Sequence, residues 1–180
     1  MMSYAGVEAF KDYIAAVRMD AELARSVVDF QTIRHFAPQL EDNRLILDVA
    51  SGKFAGTVDD FTVSDMKVSS RSGGFEGIIS GRMRGIPEIE DTRIDARLQD
   101  FTMTSAGLSH FVSQWMRDGS LDLGRFAPGT SFRVNAHAKG LLNDMDIDAD
   151  IRSAVGNVSG DIRLEDIITE GTQIGISGKV

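Results

Sequence analysis

Apolar and polar residues alternate along most of this chain, a pattern typical of β-strands with one dry face and one wet face. The alternation slips by one residue at Ser64–Asp65 and again at Gln99–Asp100, which predicts β-bulges at both places. We therefore expect a mainly β protein with an antiparallel sheet that is apolar on one face. The alternating apolar positions are Leu45, Leu47, Val49, Phe61, Val63, Met66, Val68, Ile94, Ala96, Leu98, Phe132, Val134, Ala136, Ala138, Met145, Ile147, Ala149, Ile151, Val158, Ile162 and Leu164.

Helical spacing of apolar residues is confined to short stretches. Residues 6–17 carry apolar side chains at spacings of three and four, which predicts an N-terminal helix within residues 1–18. A second short helix is predicted between Asp29, a candidate N-cap, and Pro38, a stop signal. A third is predicted to begin at Ser105, again a candidate N-cap.

The chain contains an internal repeat. The segment from Met19 to Gln39 aligns without gaps with the segment from Ile94 to Gln114, and a His-Phe dipeptide falls at the same place in both. A repeated unit that cannot bury its own apolar side favours an elongated array in which neighbouring units share a core. We expect a single fragment of such an array over 1–180: an N-terminal helix over 1–18, repeat one over 19–93, and repeat two, truncated at its C-terminal end, over 94–180.

Glycines share one face with large apolar residues in the stretch "GGFEGIISGRMRGIPEIEDTRIDARLQDF". Gly77, Gly81 and Gly85 alternate with the positions of Phe75, Ile79 and Met83. Because glycine weakens a strand interior, it needs a reason such as tight curvature or the close approach of another group. A curled sheet with an apolar concave side would explain the pattern, and so would an ordinary sandwich core.

Composition excludes several classes of partner. The formal net charge of −8 and the lack of a basic run argue against nucleic acid and against a polybasic membrane surface. The chain has no cysteine, so disulfides and cysteine-based metal sites are excluded. No signal peptide or transmembrane segment is evident, which indicates either a cytoplasmic protein or a piece of a longer chain. The strand-like pattern that continues to residue 180 favours the longer chain.

Candidate chemistry is sparse. Asp144, Asp146 and Asp148 have the spacing of the first calcium ligands of an EF-hand, but Ala149 and Val155 stand where the loop needs glycine and glutamate. The histidines do not form a metal-ligand set, and no nucleophile or phosphate-loop motif is present. We therefore predict no catalytic residue, no metal and no cofactor, and we interpret the aspartates as the wet face of a strand.

The glycine-rich stretch quoted above, with Gly85-Ile86-Pro87 followed by Ile89, Thr92 and Ile94, resembles repeats of the TamB (translocation and assembly module) and AsmA-like cell-envelope family, closest to the versions in Bacteroidetes-type envelopes. The segment "FRVNAHAKGLLNDMDIDADIRSAVGNVSGDIRLED" is similar to another such repeat. The resemblance implies an internal fragment of a long periplasmic protein that is anchored in the inner membrane by an N-terminal segment absent here. It also implies a taco-like β-groove that serves phospholipid transport, outer-membrane protein assembly, or both.

The function expected from this resemblance is non-enzymatic. The partners would be phospholipid or an unfolded outer-membrane protein, together with an outer-membrane assembly factor; nucleic acid is not expected, and membrane contact would come only through the parent protein. The alternative is a structural or adhesive module that binds partner proteins through a sheet edge or through the helix bearing Trp115. The residues predicted to line the groove are Leu45, Leu47, Phe61, Val63, Phe75, Ile79, Met83, Phe132, Val134, Met145, Ile147, Val158 and Ile162.

Overall fold

The computed structural model describes residues 1–3, 12–33, 44–72, 74–86, 88–115, 129–165 and 173–179. The chain is mainly β, and its strands form one antiparallel sheet. The strands are β1 (Met2–Ser3), β2 (Arg18–Asp29), β3 (Ile46–Gly56), β4 (Asp60–Ser70), β5 (Phe75–Arg84), β6 (Arg93–Thr104), β7 (Ser131–Leu141), β8 (Asp144–Ser153), β9 (Gly156–Glu165) and β10 (Gln173–Lys179).

The sheet is an open meander. The ten strands found in the described residues lie in chain order, so each strand is hydrogen-bonded to the strands next to it in sequence. Within the described ranges β1 and β10 do not pair with each other, and the sheet therefore does not close into a barrel. In the described residues, β1 pairs with the start of β2, where Met2 lies opposite Met19 and Ser3 opposite Arg18.

The helices are short and have side-chain caps. They are α1 (Tyr13–Ala16), α2 (Phe30–Ile33) and α3 (Ser105–Trp115), with a 3-10 turn at Ile89–Asp91. The predicted cap at Asp29 is present, since its Oδ1 accepts a hydrogen bond from Gln31 N at 2.9 Å. The cap of α3 lies one residue before the predicted Ser105, because Thr104 Oγ1 accepts a hydrogen bond from Gly107 N at 3.0 Å.

Part of the sequence prediction falls outside the described residues. Of the helix predicted within 1–18, residues 4–11 are not described, whereas Met2–Ser3 and Arg18 belong to strands. The predicted stop at Pro38 and the side chain of Trp115 also lie outside the described residues. The repeat boundaries at 19–93 and 94–180 stay a prediction.

The predicted bulges at Asp65 and Asp100 are confirmed. The pairing of β4 with β5 shifts register between Val63 and Met66, and that of β6 with β7 shifts between Leu98 and Phe101. Asp65 and Asp100 have φ angles of 48° and 50°, which place them in the left-handed region. A side chain from the adjacent strand accepts a hydrogen bond from each bulge amide: Ser80 Oγ from Asp65 N and Asn135 Oδ1 from Asp100 N, both at 2.9 Å. The bulges are thus built into the pairing rather than frayed.

The two ends of the strands differ. At the end we call the glycine end, hairpins contain Gly56, Gly85 and Gly140, all with positive φ. A methyl group on Gly140 would lie 2.9 Å from Met145 Cα across the hairpin, so this turn requires glycine. At the opposite end, the α3 end, β6 runs into α3, and Leu108 of α3 packs against a buried apolar cluster. The members of that cluster are Leu45, Val49, Val68, Phe75, Phe101, Met103 and Phe132.

Candidate functional site

Directly opposite residues in an antiparallel pair project to the same face of the sheet. Met83 of β5 lies opposite Phe61 of β4 and Ile94 of β6, and Phe75 lies opposite Met103. Further along the sheet, Val134 lies opposite Ile151, which in turn lies opposite Val158. We name the side of the sheet that carries these residues the Phe75 face. The other side, which carries Arg82, Asp95, Lys139 and Asp146 in cross-strand register, is named the Arg82 face.

The strand registers bring the predicted groove residues together on the Phe75 face. Leu45 precedes β3 and belongs to the buried cluster at the α3 end. That these side chains line an open groove stays a prediction. The remaining predicted residues pair as Leu47 with Ser70, Phe61 with Met83, Val63 with Gly81, Ile79 with Met66 and Leu98, Phe75 with Met103, Phe132 with Ser153, Val134 with Ile151, Met145 with Gly140 and Leu164, Ile147 with Ala138 and Ile162, and Val158 with Ile151.

Burial on the Phe75 face differs from one position to another. At the α3 end, Val49 is 1% exposed and Phe75 is 7% exposed. Towards the glycine end, Phe61 and Met83 are only half-buried. Val158 on β9 is 43% exposed. Met145, which also lies at the glycine end, is only 9% exposed. Accessible apolar surface on this face therefore remains around Phe61 and Met83 and at Val158.

Gly77 and Gly81 of β5, and Gly85 directly after it, are each required for a different structural reason. A methyl group on Gly77 would lie 2.7 Å from Phe101 Cγ and 2.8 Å from Phe101 Cα, so the Phe101 ring occupies the space that a side chain would need. That ring also stacks on Phe75, with centroids 5.7 Å apart. A methyl group on Gly81 would meet the backbone of β6 at Ala96 Cα, 2.8 Å away. Gly85 has a φ of 110°, which ordinary residues avoid.

Ion pairs cross the strands on the Arg82 face. Arg82 donates two hydrogen bonds to Asp60, from Nε at 2.7 Å and from Nη2 at 2.6 Å. These bonds lower the pKa of Asp60, and the charges of Arg82, Arg84 and Arg18 lower it further. Similarly, the hydrogen bond with His137 lowers the pKa of Asp95. This face is therefore held in a charged, hydrated state at neutral pH.

Two aspartates of β8, Asp144 and Asp146, are counter-ions of an arginine on β9. Arg163 on β9 lies 2.7 Å from Asp146 and 2.6 Å from Asp144, and the carboxylates raise the pKa of its guanidinium. Within the described ranges no group of three or more potential ligands is arranged to hold a metal ion. This geometry agrees with the interpretation of the aspartates as a wet strand face.

Two arginines on the Arg82 face lie side by side, and one of them, Arg84, also lies directly opposite Asp60. Arg84 ends β5 and lies directly opposite Arg93, which begins β6. Arg84 Nε is 3.9 Å from Asp60 Oδ2, but both oxygens of that carboxylate already bind Arg82. Among the described residues no carboxylate forms an ion pair with Arg93. Sequence reasoning missed this pair because only the hairpin register brings the two arginines side by side.

The alternation pattern did not identify Phe101 and Met103 as members of the Phe75 face, because they follow the bulge that inverts the alternation of β6.

None of the helices in the described ranges has the length and hydrophobicity to cross a membrane. Comparison of this sequence and its fold with protein-family models, with curated proteins and with solved structures finds no match.

Proposed function

We propose that the Phe75 face is the wall of an open apolar groove that carries the acyl chains of phospholipids. The chain would act as a non-enzymatic segment of a TamB- or AsmA-like envelope protein, located in the periplasm and anchored in the inner membrane through its parent. The single observation that carries this proposal is the continuity of apolar residues in cross-strand register from β2 to β9.

The dimensions of this surface suit a lipid chain. At ~4.8 Å per strand, the path from β2 to β9 is about 34 Å long. The hydrocarbon core of a bilayer is about 30 Å thick, so one acyl chain needs about half of that length. An acyl chain that lies across the strands would thus contact several of them at once and could move along the sheet without leaving apolar surface.

Small residues leave room in the middle of the face. Gly81 lies opposite Ala96, which lies opposite Ala138. One cross-strand pair nearer the α3 end, Ala136 lies opposite Ala149, which lies opposite Gly160. The small residues thus form a row that shifts by one pair at β7. Large residues such as Phe61 and Met83 stand on the glycine-end side of this row. A shallow channel between larger side chains is the shape that such a sequence favours.

Weak binding is expected, which suits transport. Full burial of a methylene group contributes about 0.8 kcal/mol. About eight methylenes, each half-shielded by an open groove, would contribute about 3 kcal/mol, which corresponds to a dissociation constant of roughly 6 mM for a single chain. Two chains of one phospholipid would bind together more tightly, yet still reversibly.

The test is site-specific photocrosslinking in the full-length parent protein in cells. A photoreactive residue at Ile79, on the Phe75 face, should give phospholipid adducts. The matched control is Ile78, the adjacent isoleucine, which lies opposite Lys67 and Gln99 on the Arg82 face and should give none. Equal yields at both positions, or lipid at neither, would contradict the proposal, whereas adducts with unfolded outer-membrane proteins at Ile79 alone would reassign the cargo.

The alternative function, a module that binds partner proteins through a sheet edge, has one observation in its favour. Val27 on the edge strand β2 is 53% exposed, and in the described part of the chain β1 covers only the start of β2. However, Arg25 in the same strand has a φ of 44°, and such an irregularity in an edge strand discourages further pairing. Protein adducts from a photoreactive residue at Val27, together with no lipid at Ile79, would favour this alternative.

A further inference from the structure

The edge strand β2 matches the inner strand β6 in its local structure. Both strands are 12 residues long, and both continue directly into a helix. Each contains a residue with positive φ at the same place in the strand, Arg25 at 44° in β2 and Asp100 at 50° in β6. The residue before each strand, Val17 or Thr92, is completely buried. The strand that pairs with β6 therefore indicates which kind of strand would fit beside β2.

The outer edge of β2 is mostly unpaired within the described residues. β6 pairs with β5 along its length, and Met83 of β5 lies opposite Ile94. At the same place beside β2, Met2 of the short strand β1 lies opposite Met19. β1 thus shows that this edge accepts an antiparallel strand. From residue 21 to residue 29, β3 is the strand of the described part that pairs with β2, and it lies on the inner side.

The bulge in β2 restricts which strands its edge can accept. The pairing of β5 with β6 shifts register at Gly77. A methyl group there would lie 2.8 Å from the Cα of Phe101, the residue that follows the bulge at Asp100. Ser26 follows the bulge at Arg25 in the same way. A strand with a side chain at the place of Gly77 would be held away from β2, whereas a strand with glycine there would pair past the bulge.

Apolar side chains of β2 define the rest of the pattern. Leu23 and Val28 pack against the buried cluster of the Phe75 face. At the corresponding places of β6, the opposite residues on β5 are Ile79 and Phe75. Apolar residues at these places of an incoming strand would therefore extend the Phe75 face. On the other face, Val27 is 53% exposed, and the same strand would cover it.

We propose that residues 21–29 of β2 bind an unfolded segment of another polypeptide as an added antiparallel strand. The bulge selects a segment in which glycine stands between two apolar residues, each separated from it by one position, as in Phe75-x-Gly77-x-Ile79. Main-chain hydrogen bonds supply the affinity in such strand addition, and the side-chain positions supply the specificity. This inference goes beyond lipid binding on the Phe75 face and does not depend on it.

A second copy of this chain fits the edge less well. β2 itself contains no glycine, so two β2 strands would meet at their bulges without the residue that relieves the close approach. β10 runs in the same direction as β2 in the meander. With both Phe75 faces on one side, β10 of another copy could therefore join β2 only as a parallel strand, which is not how β5 joins β6.

The experiment titrates the isotope-labelled 180-residue chain with a synthetic peptide of residues 71–82, which carries the β5 pattern, and follows the amide signals by NMR. The shifts should concentrate in β2. A peptide with Gly77→Val should bind about tenfold more weakly, because its side chain would overpack against the bulge.

Two variants of the chain test the edge itself. Asp20 N donates a hydrogen bond outward to Met1 O, and alternation points the amide of Glu22 the same way. Glu22→Pro should therefore abolish peptide binding without removing a hydrogen bond between β2 and β3. The matched control, Glu22→Gln, should bind the peptide as the parent chain does. Thermal unfolding of each variant checks that its fold is retained.

The outcomes separate the possible occupants. Absence of binding, equal affinity for the two peptides, or shifts in β4 and β6 instead of β2 would each overturn the proposal, the last because the peptide would then have replaced β5. Self-association of the chain that Glu22→Pro removes would assign the edge to a second copy and would also overturn it. In the full-length parent, a photoreactive residue at Val27 should form adducts with another polypeptide, whereas adducts within the parent would assign the edge to a neighbouring part of the same chain. Absence of lipid adducts at Ile79 would refute the groove and leave this inference intact.

Discussion

Replacing Gly77 with alanine tests the packing between neighbouring strands at the heart of the sheet. The new methyl group would lie 2.7 Å from Phe101 Cγ and 2.8 Å from Phe101 Cα. The ring could rotate away, but the Cα belongs to the backbone of a paired strand and cannot move without disturbing β6. Phe101 is only 5% exposed and stacks on Phe75, so a rotated ring would find little free space.

The expected cost follows from opposing effects. Overpacking of a filled core costs about 1–3 kcal/mol. The change from glycine to alanine by itself raises the free energy of unfolding by about 0.5–1 kcal/mol, because alanine loses less backbone entropy on folding. The net loss in free energy of unfolding should therefore be about 1–2 kcal/mol. For a domain of this size, that corresponds to a fall in Tm of about 2–8 °C.

Urea unfolding followed by circular dichroism measures this loss, and two controls sharpen it. Gly129→Ala should be neutral or slightly stabilising, because no atom lies within 4 Å of a methyl group at that position. Phe101→Leu should relieve the clash, so the double variant should be more stable than the sum of the single changes predicts. If Gly77→Ala is as stable as the parent chain, or if the two changes are additive, the Phe101 ring does not occupy the space beside Gly77.

Three further changes test other parts of the structure. Gly107→Ala would drive a methyl group into the backbone of Gly74, so it should detach α3 and speed hydrogen exchange of the β6 amides at the α3 end, without a comparable effect in β8. Asp100→Val places a β-branched residue at a φ of 50° and should lower the free energy of unfolding by about 1–2 kcal/mol in urea titration, whereas Asp100→Gly should not. Because Arg82 lowers the pKa of Asp60 in the folded chain, the stabilisation is present above the ordinary carboxylate pKa and is lost as the pH falls through the lower, folded value. Asp60→Asn should therefore flatten the decline of Tm between about pH 5 and about pH 2, and an unchanged decline would contradict this assignment.

The strands and the bulges of β4 and β6 could be predicted because their signal is local. A slip in alternation at Asp65 or Asp100 is visible in the sequence alone, and the structure confirms both. The predicted N-cap of α3 was wrong by one residue, because Thr104 and Ser105 are both residue types that cap helices well and only the backbone conformation decides between them.

Contacts between strands could not be predicted, since they depend on register. The sequence shows that Gly77 shares a face with Phe75, but not that the ring of Phe101, from the next strand, fills the space beside it. In the same way, Arg84 and Arg93 become neighbours only when the β5–β6 hairpin forms. The character of the candidate site was therefore predictable from alternation, whereas its individual partners were not.

The meander has a consequence for how this chain acquires its structure. Every strand pairs with its predecessor and its successor, so no strand has to wait for a distant segment of the chain to be made. Hairpin formation takes microseconds, and locally connected folds reach the native state quickly. A chain that emerges gradually from a narrow channel could therefore fold one hairpin at a time, because each new strand pairs with the strand before it. At each stage, the most recently added strand would offer the edge to which the next strand pairs.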